Sequence, residues 1–354
     1  MRIGSVEVAS PFAVAPMAGM TDTGFRRLVK RHGGCGLVVT EMVSAEGLVR
    51  GIDRTLEYAE YTEEERPVSI QIFGGHPETM AEAARIVEGM GADIVDVNMG
   101  CPVPKIAKHN AGCSLMREPA QAAAIVTAMT KAVTIPVTVK MRAGWADGER
   151  NAPLVARMVE DAGAAAVAVH GRTAAQSYSG SSDWDLVGQI ADDLAIPVLG
   201  SGDCVEPDVV VQRWKTGVEG VLVGRGVLRN PWILSQASDV AAGRPPRPVT
   251  LADRGRFLLD YIELLQRERI REPEGFRHTA PGASVANAHG VVAIGHDRWV
   301  INKVRALGSW YTKGLDNGSH LRTAINSAES LAALRDLVNA FFLSSPATLV
   351  EARL

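Results

Sequence analysis

The chain has 354 residues, 46% hydrophobic and 22% charged, with a formal net charge of −3. That composition is ordinary for a soluble globular protein and excludes disordered, collagenous and coiled-coil classes, while no apolar run reaches the roughly 18 residues of a membrane span. The four cysteines, Cys35, Cys101, Cys113 and Cys204, form no CxxC pair, which argues against a disulfide scaffold or structural zinc and fits a reducing, cytoplasmic location.

The apolar stretch Phe12–Met20 is short, contains Pro16 and lacks a basic flank. It reads as folded structure, not as a signal sequence. Short β-branched runs then recur at Phe12–Ala15, Leu37–Thr40, Val68–Ile72, Ile94–Asn98, Pro136–Met141, Ala166–His170, Ile196–Leu199 and Gly220–Val223. Between them lie alanine-rich segments such as Glu78–Met90 and Pro119–Lys131, which predict amphipathic helices. Eight strand–helix units predict an α/β fold, a (β/α)8 TIM barrel, which takes about 250 residues. A doubly wound open sheet rarely carries eight parallel units.

The segment Ala241–Thr250 (AAGRPPRPVT) predicts a linker. Beyond it, Leu251–Ile270, His296–Lys313 and Ala324–Phe342 predict helices with no further strand. The expected organisation is a barrel over 1–240, a linker over 241–250 and a small all-α domain over 251–354. A long exposed loop is expected at 272–296, holding His278, His289 and His296. Their spacing matches no metal-ligand pattern, so no metal is expected. Residues 1–240 hold 22 Lys/Arg and 29 Asp/Glu, a net −7, whereas 241–354 hold 15 and 11, a net +4. Such asymmetry is a hint of a polyanionic partner, and a solvated surface explains it as well.

Barrel sites form at the C-terminal strand ends, and side chains alternate along a strand. If Val68, Ile70 and Ile72 face the helices, Gln71 faces the axis. The same alternation sends Asp96, Asn98, Lys140 and His170 inward. One inward polar side chain can be a satisfied structural group, but several at one mouth favour a polar ligand. The last two strands run into Gly200-Ser201-Gly202-Asp203 and Gly224-Arg225-Gly226. Glycine loops at this place suit a phosphate, with Arg225 as an added charge; tight turns without a ligand are the plain alternative. Phosphate on one side and a lysine on the other suit flavin mononucleotide (FMN), whose reduced ring an adjacent cation stabilises. Pro16, Met17 and Ala18 are placed to line the ring. Cys101 follows the fourth strand in a glycine–proline loop and suits a general acid, or a nucleophile if its pKa is lowered. Cys113 and Cys204 read as core residues.

Several ordered motifs resemble the tRNA-dihydrouridine synthases. They are Ala15-Pro-Met-Ala-Gly-Met-Thr-Asp22 with Phe25-Arg26, Asp96-Val-Asn-Met-Gly-Cys-Pro102 with Lys105, Val139-Lys-Met-Arg-Ala-Gly144, and Val169-His-Gly-Arg-Thr173 with Gln176, Tyr178 and Gly180. Gly200–Asp203, Gly224–Arg225 and Asn230-Pro-Trp232 complete the set, and the overall look is nearest the bacterial B-type subfamily. The resemblance implies FMN-dependent reduction of the uracil C5=C6 bond in tRNA, with NADPH (or NADH) as reductant. It implies a hydride from flavin N5 to C6 and a proton from Cys101 to C5. It implies FMN contacts from Pro16, Met17, Ala18, Gln71, Lys140, Gly202, Asp203, Gly224 and Arg225. His170 and Ser201 join that set. Asn98, Lys105, His170 and Arg172 are implied on the substrate side, and the helical domain is implied to grip tRNA. The chain departs in Ser201, where asparagine is usual, in Cys113, and in lacking a basic-basic-histidine cluster before Trp310; Lys303 and Arg305 lie somewhat earlier. A small-molecule pyrimidine oxidoreductase of the dihydroorotate dehydrogenase kind, or a non-catalytic RNA-binding protein on a vestigial barrel, are the rival expectations. No membrane and no obligate protein partner are expected.

Overall fold

A computed structural model describes residues 1–107, 110–268 and 291–344. Eight parallel strands close into a barrel: β1 Phe12–Val14, β2 Leu37–Val39, β3 Val68–Phe73, β4 Ile94–Met99, β5 Val137–Arg142, β6 Ala166–His170, β7 Val198–Ser201 and β8 Gly220–Val223. Each pairs with the next, and β8 pairs with β1, so no barrel edge is left open. The longer helices among the described residues of the barrel are α1 Thr23–His32, α2 Pro77–Gly89, α3 Pro119–Ala132, α4 Ala152–Asp161, α5 Trp184–Asp193, α6 Pro207–Trp214 and α7 Ile233–Ala241, and they cover its outside. The fold is the expected TIM barrel, with a C-terminal helical region.

The strands are apolar on both faces because each is buried on both. Val14, Val38, Ile70, Val97 and Val139 pack outward against helices, while Ala13, Leu37, Ile94, Ala166 and Leu199 fill the interior. A hairpin of Arg2–Ile3 and Val6–Glu7 brings Ile3 and Val8 to this inner core. Proline opens α2, α3 and α6, where its missing N–H costs nothing. Asp22 caps α1 by accepting the Phe25 N–H at 3.0 Å. The seventh strand lies two residues later than expected, at Val198–Ser201 instead of Ile196–Leu199. Pro197 and the ladder with β6 set that register.

The C-terminal region holds α8 Leu251–Glu268, α9 Val291–Tyr311, α10 Gly318–Ser327 and α11 Leu331–Val338. Residues 242–250 form neither helix nor strand. Ala324–Phe342 is not one helix. The chain breaks after Ser327, and Ser330 starts α11 by accepting the Ala333 N–H at 3.1 Å. A π-helical turn, Asn339–Leu343, follows. The expected exposed loop at 272–296 is corrected at its end: α9 begins at Val291, so His296 is helical and buried, its ring stacked on Trp299 at 5.6 Å. Residues 272–290, with His278 and His289, lie outside the described residues. The region docks on α1 through aromatic edges, Phe25 to Phe257 at 6.0 Å and Phe25 to Tyr261 at 6.4 Å. Among the described residues, no helix is long and apolar enough to cross a membrane.

Candidate active site

The register of the parallel strands stacks polar side chains in rising layers toward the mouth. Gln71 lies beside Asp96, Asn98 beside Lys140, and Arg142 beside His170, which in turn lies beside Ser201. These layers open into a cavity of about 690 Å³, within the range of small-molecule sites. Of the residues expected at the site, Pro16, Met17, Ala18, Gln71, Asn98, Cys101, Lys140, His170, Ser201, Gly202, Asp203, Gly224 and Arg225 all line it. Two do not. Lys105 is exposed on a short helix beyond the cysteine loop. Arg172 is 2% exposed and lies beneath the wall, where both carboxylate oxygens of Asp203 accept from its Nη2 at 2.8 Å.

A buried hydrogen-bond chain shapes one wall. Asp96 accepts from Thr138 Oγ1 at 2.6 Å and from Gln71 Nε2 at 2.6 Å. Gln71 Oε1 accepts from Asn98 Nδ2 at 2.7 Å. Asn98 Oδ1 then accepts the backbone N–H groups of Gly100 and Cys101, at 3.1 and 2.9 Å. The loop that carries Cys101 is thereby hung from the barrel floor. Burial pushes the Asp96 carboxyl above its usual range, against the hydrogen bonds from Gln71 and Thr138. Gly112, at φ +62°, lets the next loop close behind the cysteine, since a Cβ there would sit 2.7 Å from the Cys101 carbonyl oxygen.

Lys140 is half-buried and makes no hydrogen bond or ion pair among the described residues. Burial, then repulsion from Arg142, lowers its pKa to about 8. His170 is lowered to about 2 by burial first, then by the charges of Lys140, Arg142, Arg172 and Arg225, so its ring is neutral at physiological pH. Arg142 ties two loops together, donating to the carbonyls of Gly100 after β4 and of Thr173 and Ser177 after β6, at 2.8, 2.9 and 3.0 Å.

The opposite wall holds the two glycine loops. At Gly202, φ is +121° and a Cβ would meet Ser182 Oγ at 2.3 Å, so only glycine fits. At Gly224 a Cβ would meet nothing closer than Met17 Sδ at 3.6 Å. The protein's own packing therefore leaves room on that side. Arg225 lies 3.5 Å from Asp203 and stacks on Tyr178, its guanidinium 4.6 Å from the ring centre. Burial opposes ionisation of Asp203, but the Ser182 N–H and the guanidinium of Arg172 hold its pKa below the usual value.

A phosphorylated planar group fits this donor set. An ammonium with no partner among the described residues lines the cavity, a glycine loop leaves space, and Arg225 lines it too. Arg142 was legible by the alternation that exposed Lys140, two residues before it, and was missed. Met42 and Trp310 also line the cavity; the first lies in the loop after β2 with no motif, and the second arrives from α9, so only folding brings them in. Cys204 lines the wall too while remaining 4% exposed, whereas Cys113 is in the core.

The model of the dihydrouridine synthase family matches residues 13–284. A tRNA-dihydrouridine synthase B of Xanthomonas axonopodis pv. citri is 37% identical over 358 residues, covering 99% of this chain and 100% of the relative. A probable tRNA-dihydrouridine synthase of Rickettsia conorii is 34% identical over 347 residues, 97% of each chain. One of Mycobacterium tuberculosis is 36% identical over 352 residues, 96% of this chain and 84% of that one. Among solved structures, 2-naphthoyl-CoA reductase with 2-naphthoyl-CoA superposes with a TM-score of 0.50 at 14% identity, over 69% of this chain and 52% of that one. At that identity the likeness speaks for the fold alone.

Proposed function

The chain belongs to the dihydrouridine synthase family, and from that premise we propose that it reduces the C5=C6 bond of uridine in tRNA, with FMN as cofactor and NADPH, or NADH, as reductant. The observation that carries this reading is one cavity lined by an unpartnered lysine, two glycine loops and a cysteine. Pro16, Met17, Ala18, Gln71, Lys140, Gly202, Gly224 and Arg225 would hold the cofactor. Ser201 and Asp203 would contribute from the same loop, the carboxylate chiefly by fixing its shape through Arg172. When bound, reduced FMN supplies the hydride that adds to C6 of the uracil.

The chain's own groups divide the remaining work. Lys140 would supply the positive charge that stabilises a reduced flavin, because a pKa of about 8 leaves it mostly protonated at neutral pH. His170, neutral, can hydrogen-bond to cofactor or base but has no imidazolium proton to give. Cys101 delivers its thiol proton to C5, the cysteine returning to the thiol from solvent. Asn98 holds Cys101 in place, and its second N–H, which meets only the weak acceptor Met42 Sδ at 3.7 Å, could turn to the uracil. Arg172 acts by bracing His170, from 3.4 Å, and Asp203. A uridine within folded RNA has to be extruded to reach such a cavity. Most of its affinity would come from phosphates and would weaken with salt. Trp310 at the rim supports a part for the helical region in seating the RNA.

The direct test is Cys101→Ala. It should retain FMN and its reduction by NADPH, yet lose roughly 10²- to 10⁴-fold in uridine reduction, the usual worth of a positioned acid. Wild-type uridine turnover in that variant would remove the cysteine from the mechanism. A purified wild-type protein that neither carries nor takes up FMN would remove the flavin reading altogether. Turnover of free dihydroorotate without RNA would favour a small-molecule enzyme.

A further inference from the structure

The proposed chemistry gives no role to Lys303, which reaches from α9 across to the barrel. Its Nζ lies 3.1 Å from Asp22 Oδ2, 3.2 Å from Glu41 Oε1 and 3.3 Å from the Gly19 carbonyl oxygen. All three side chains are largely buried, 13% exposed for the lysine, 11% for Asp22 and 6% for Glu41. Glu41 turns its other oxygen to the same loop and accepts the Gly19 N–H at 2.5 Å. Asp22 accepts the Tyr261 hydroxyl at 2.7 Å while its other oxygen caps α1.

These bonds bracket one segment, Ala15–Thr21. Gly19 is its tip and Asp22 is the residue after its end. The segment turns on itself through the Met17 carbonyl, which accepts from Met20 N and Thr21 N at 3.0 and 3.1 Å. At Gly19, φ is +79° and an added Cβ would have nothing within 4 Å. Side-chain packing therefore does not hold the tip; polar bonds do. The same segment sends Pro16, Met17, Ala18 and Met20 into the cavity wall. One ammonium serves two carboxylates here, so its removal leaves two like charges facing each other at the base of the loop.

We propose that Lys303 is a positioning residue for the cavity: from the helical region it holds the Ala15–Thr21 segment in the shape that receives the cofactor. The inference rests on the flavin reading of that cavity. It also makes the helical region part of the cofactor site's support, in addition to any hold on RNA.

The test uses the full chain, stripped of FMN and retitrated by flavin fluorescence, with the thermal midpoint of the FMN-free protein measured alongside. Lys303→Met should raise the FMN dissociation constant by roughly tenfold or more, about 1.4 kcal/mol, and Lys303→Arg should recover most of the loss. Glu41→Ala releases the Gly19 N–H but leaves one lysine facing one aspartate, so it tests the loop without stranding two charges. It should weaken FMN binding similarly, and it decides the matter if Lys303→Met does not fold. A mere staple between the two regions would lower the midpoint and leave the FMN affinity of the folded protein unchanged. That result in both Lys303→Met and Glu41→Ala overturns the proposal. Failure of the wild-type protein itself to bind FMN is a separate outcome, which defeats the flavin reading before any variant is compared.

Discussion

Replacing Lys140 by methionine should stabilise the FMN-free protein at neutral pH while impairing cofactor binding. The ammonium has no hydrogen-bonding or ionic partner in the described structure, and burial lowers its pKa from 10.5 to about 8. Between those values the unfolded chain binds the proton and the native chain does not. Wild-type stability therefore rises with pH through that window, and below it the native state carries the whole cost of the buried charge. At 1.36 kcal/mol per pKa unit this cost approaches about 3 kcal/mol. The side chain is partly solvated, so about 1–2 kcal/mol is the sounder expectation. Methionine keeps the hydrocarbon stem. The offset is Asp96, which loses a favourable charge, but Lys140 is the smallest of the influences on that carboxyl, after burial and the bonds from Gln71 and Thr138. Urea unfolding of FMN-free wild type and variant at pH 7, 9 and 10.5 measures the difference. The variant should lead at pH 7, and its lead should shrink toward pH 10.5. A variant less stable at pH 7, or a gap independent of pH, would refute the reasoning. With FMN in excess the order should reverse, because only the wild type gains fully from the ligand.

Three further outcomes follow from the geometry. The His170 ring should show no titration by NMR between pH 4 and 8, since its pKa is near 2. Its unfolded form takes a proton below about pH 6.5, so His170 should cost stability as the pH falls below that value; a midpoint near 6 would contradict its burial. Gly224→Ala should leave FMN-free stability within roughly 0.5 kcal/mol of wild type but weaken FMN binding, whereas Gly202→Ala should lose both, as its Cβ would overlap Ser182 and its φ of +121° suits glycine alone. Equal FMN affinity in Gly224→Ala would take that loop out of the site. Arg26→Met should destabilise the protein by about 3–5 kcal/mol. It strands Glu65, which is fully buried and bonded to Arg26 and Thr23 at 2.5 Å each, and denaturant unfolding reads the loss directly.

The strands were legible because apolar β-branched runs recurred eight times between helical stretches. The inward polar set was legible because a two-residue period leaves no choice of face once the valines are assigned. The split of the last helical stretch was not. Its apolar pattern continues through Ala328–Ser330, and the break depends on Ser330 capping α11 and on Arg305 reaching back to the Ala328 carbonyl at 2.8 Å. His296 stood at the junction of the expected loop and the expected helix, and the helix instead begins five residues earlier, at Val291. Arg172 matched a motif and was expected at the substrate. Its buried bond to Asp203 depends on a contact 31 residues away that no local pattern records.

The sequence by itself determined the barrel, the face on which Gln71, Asn98, Lys140 and His170 stand, and the loop that carries Cys101. These follow from periodicity and from motifs contained in single strand–loop units, where backbone geometry alone fixes direction. The tertiary structure decided which of those groups are spent and which remain available. It committed Asp203 to Arg172, engaged Lys303 with Asp22 and Glu41, and left Lys140 without a hydrogen-bond or ion-pair partner among the described residues. Those assignments depend on distances between segments far apart in the chain, and on burial, which sets how strongly each charge must find a counterpart.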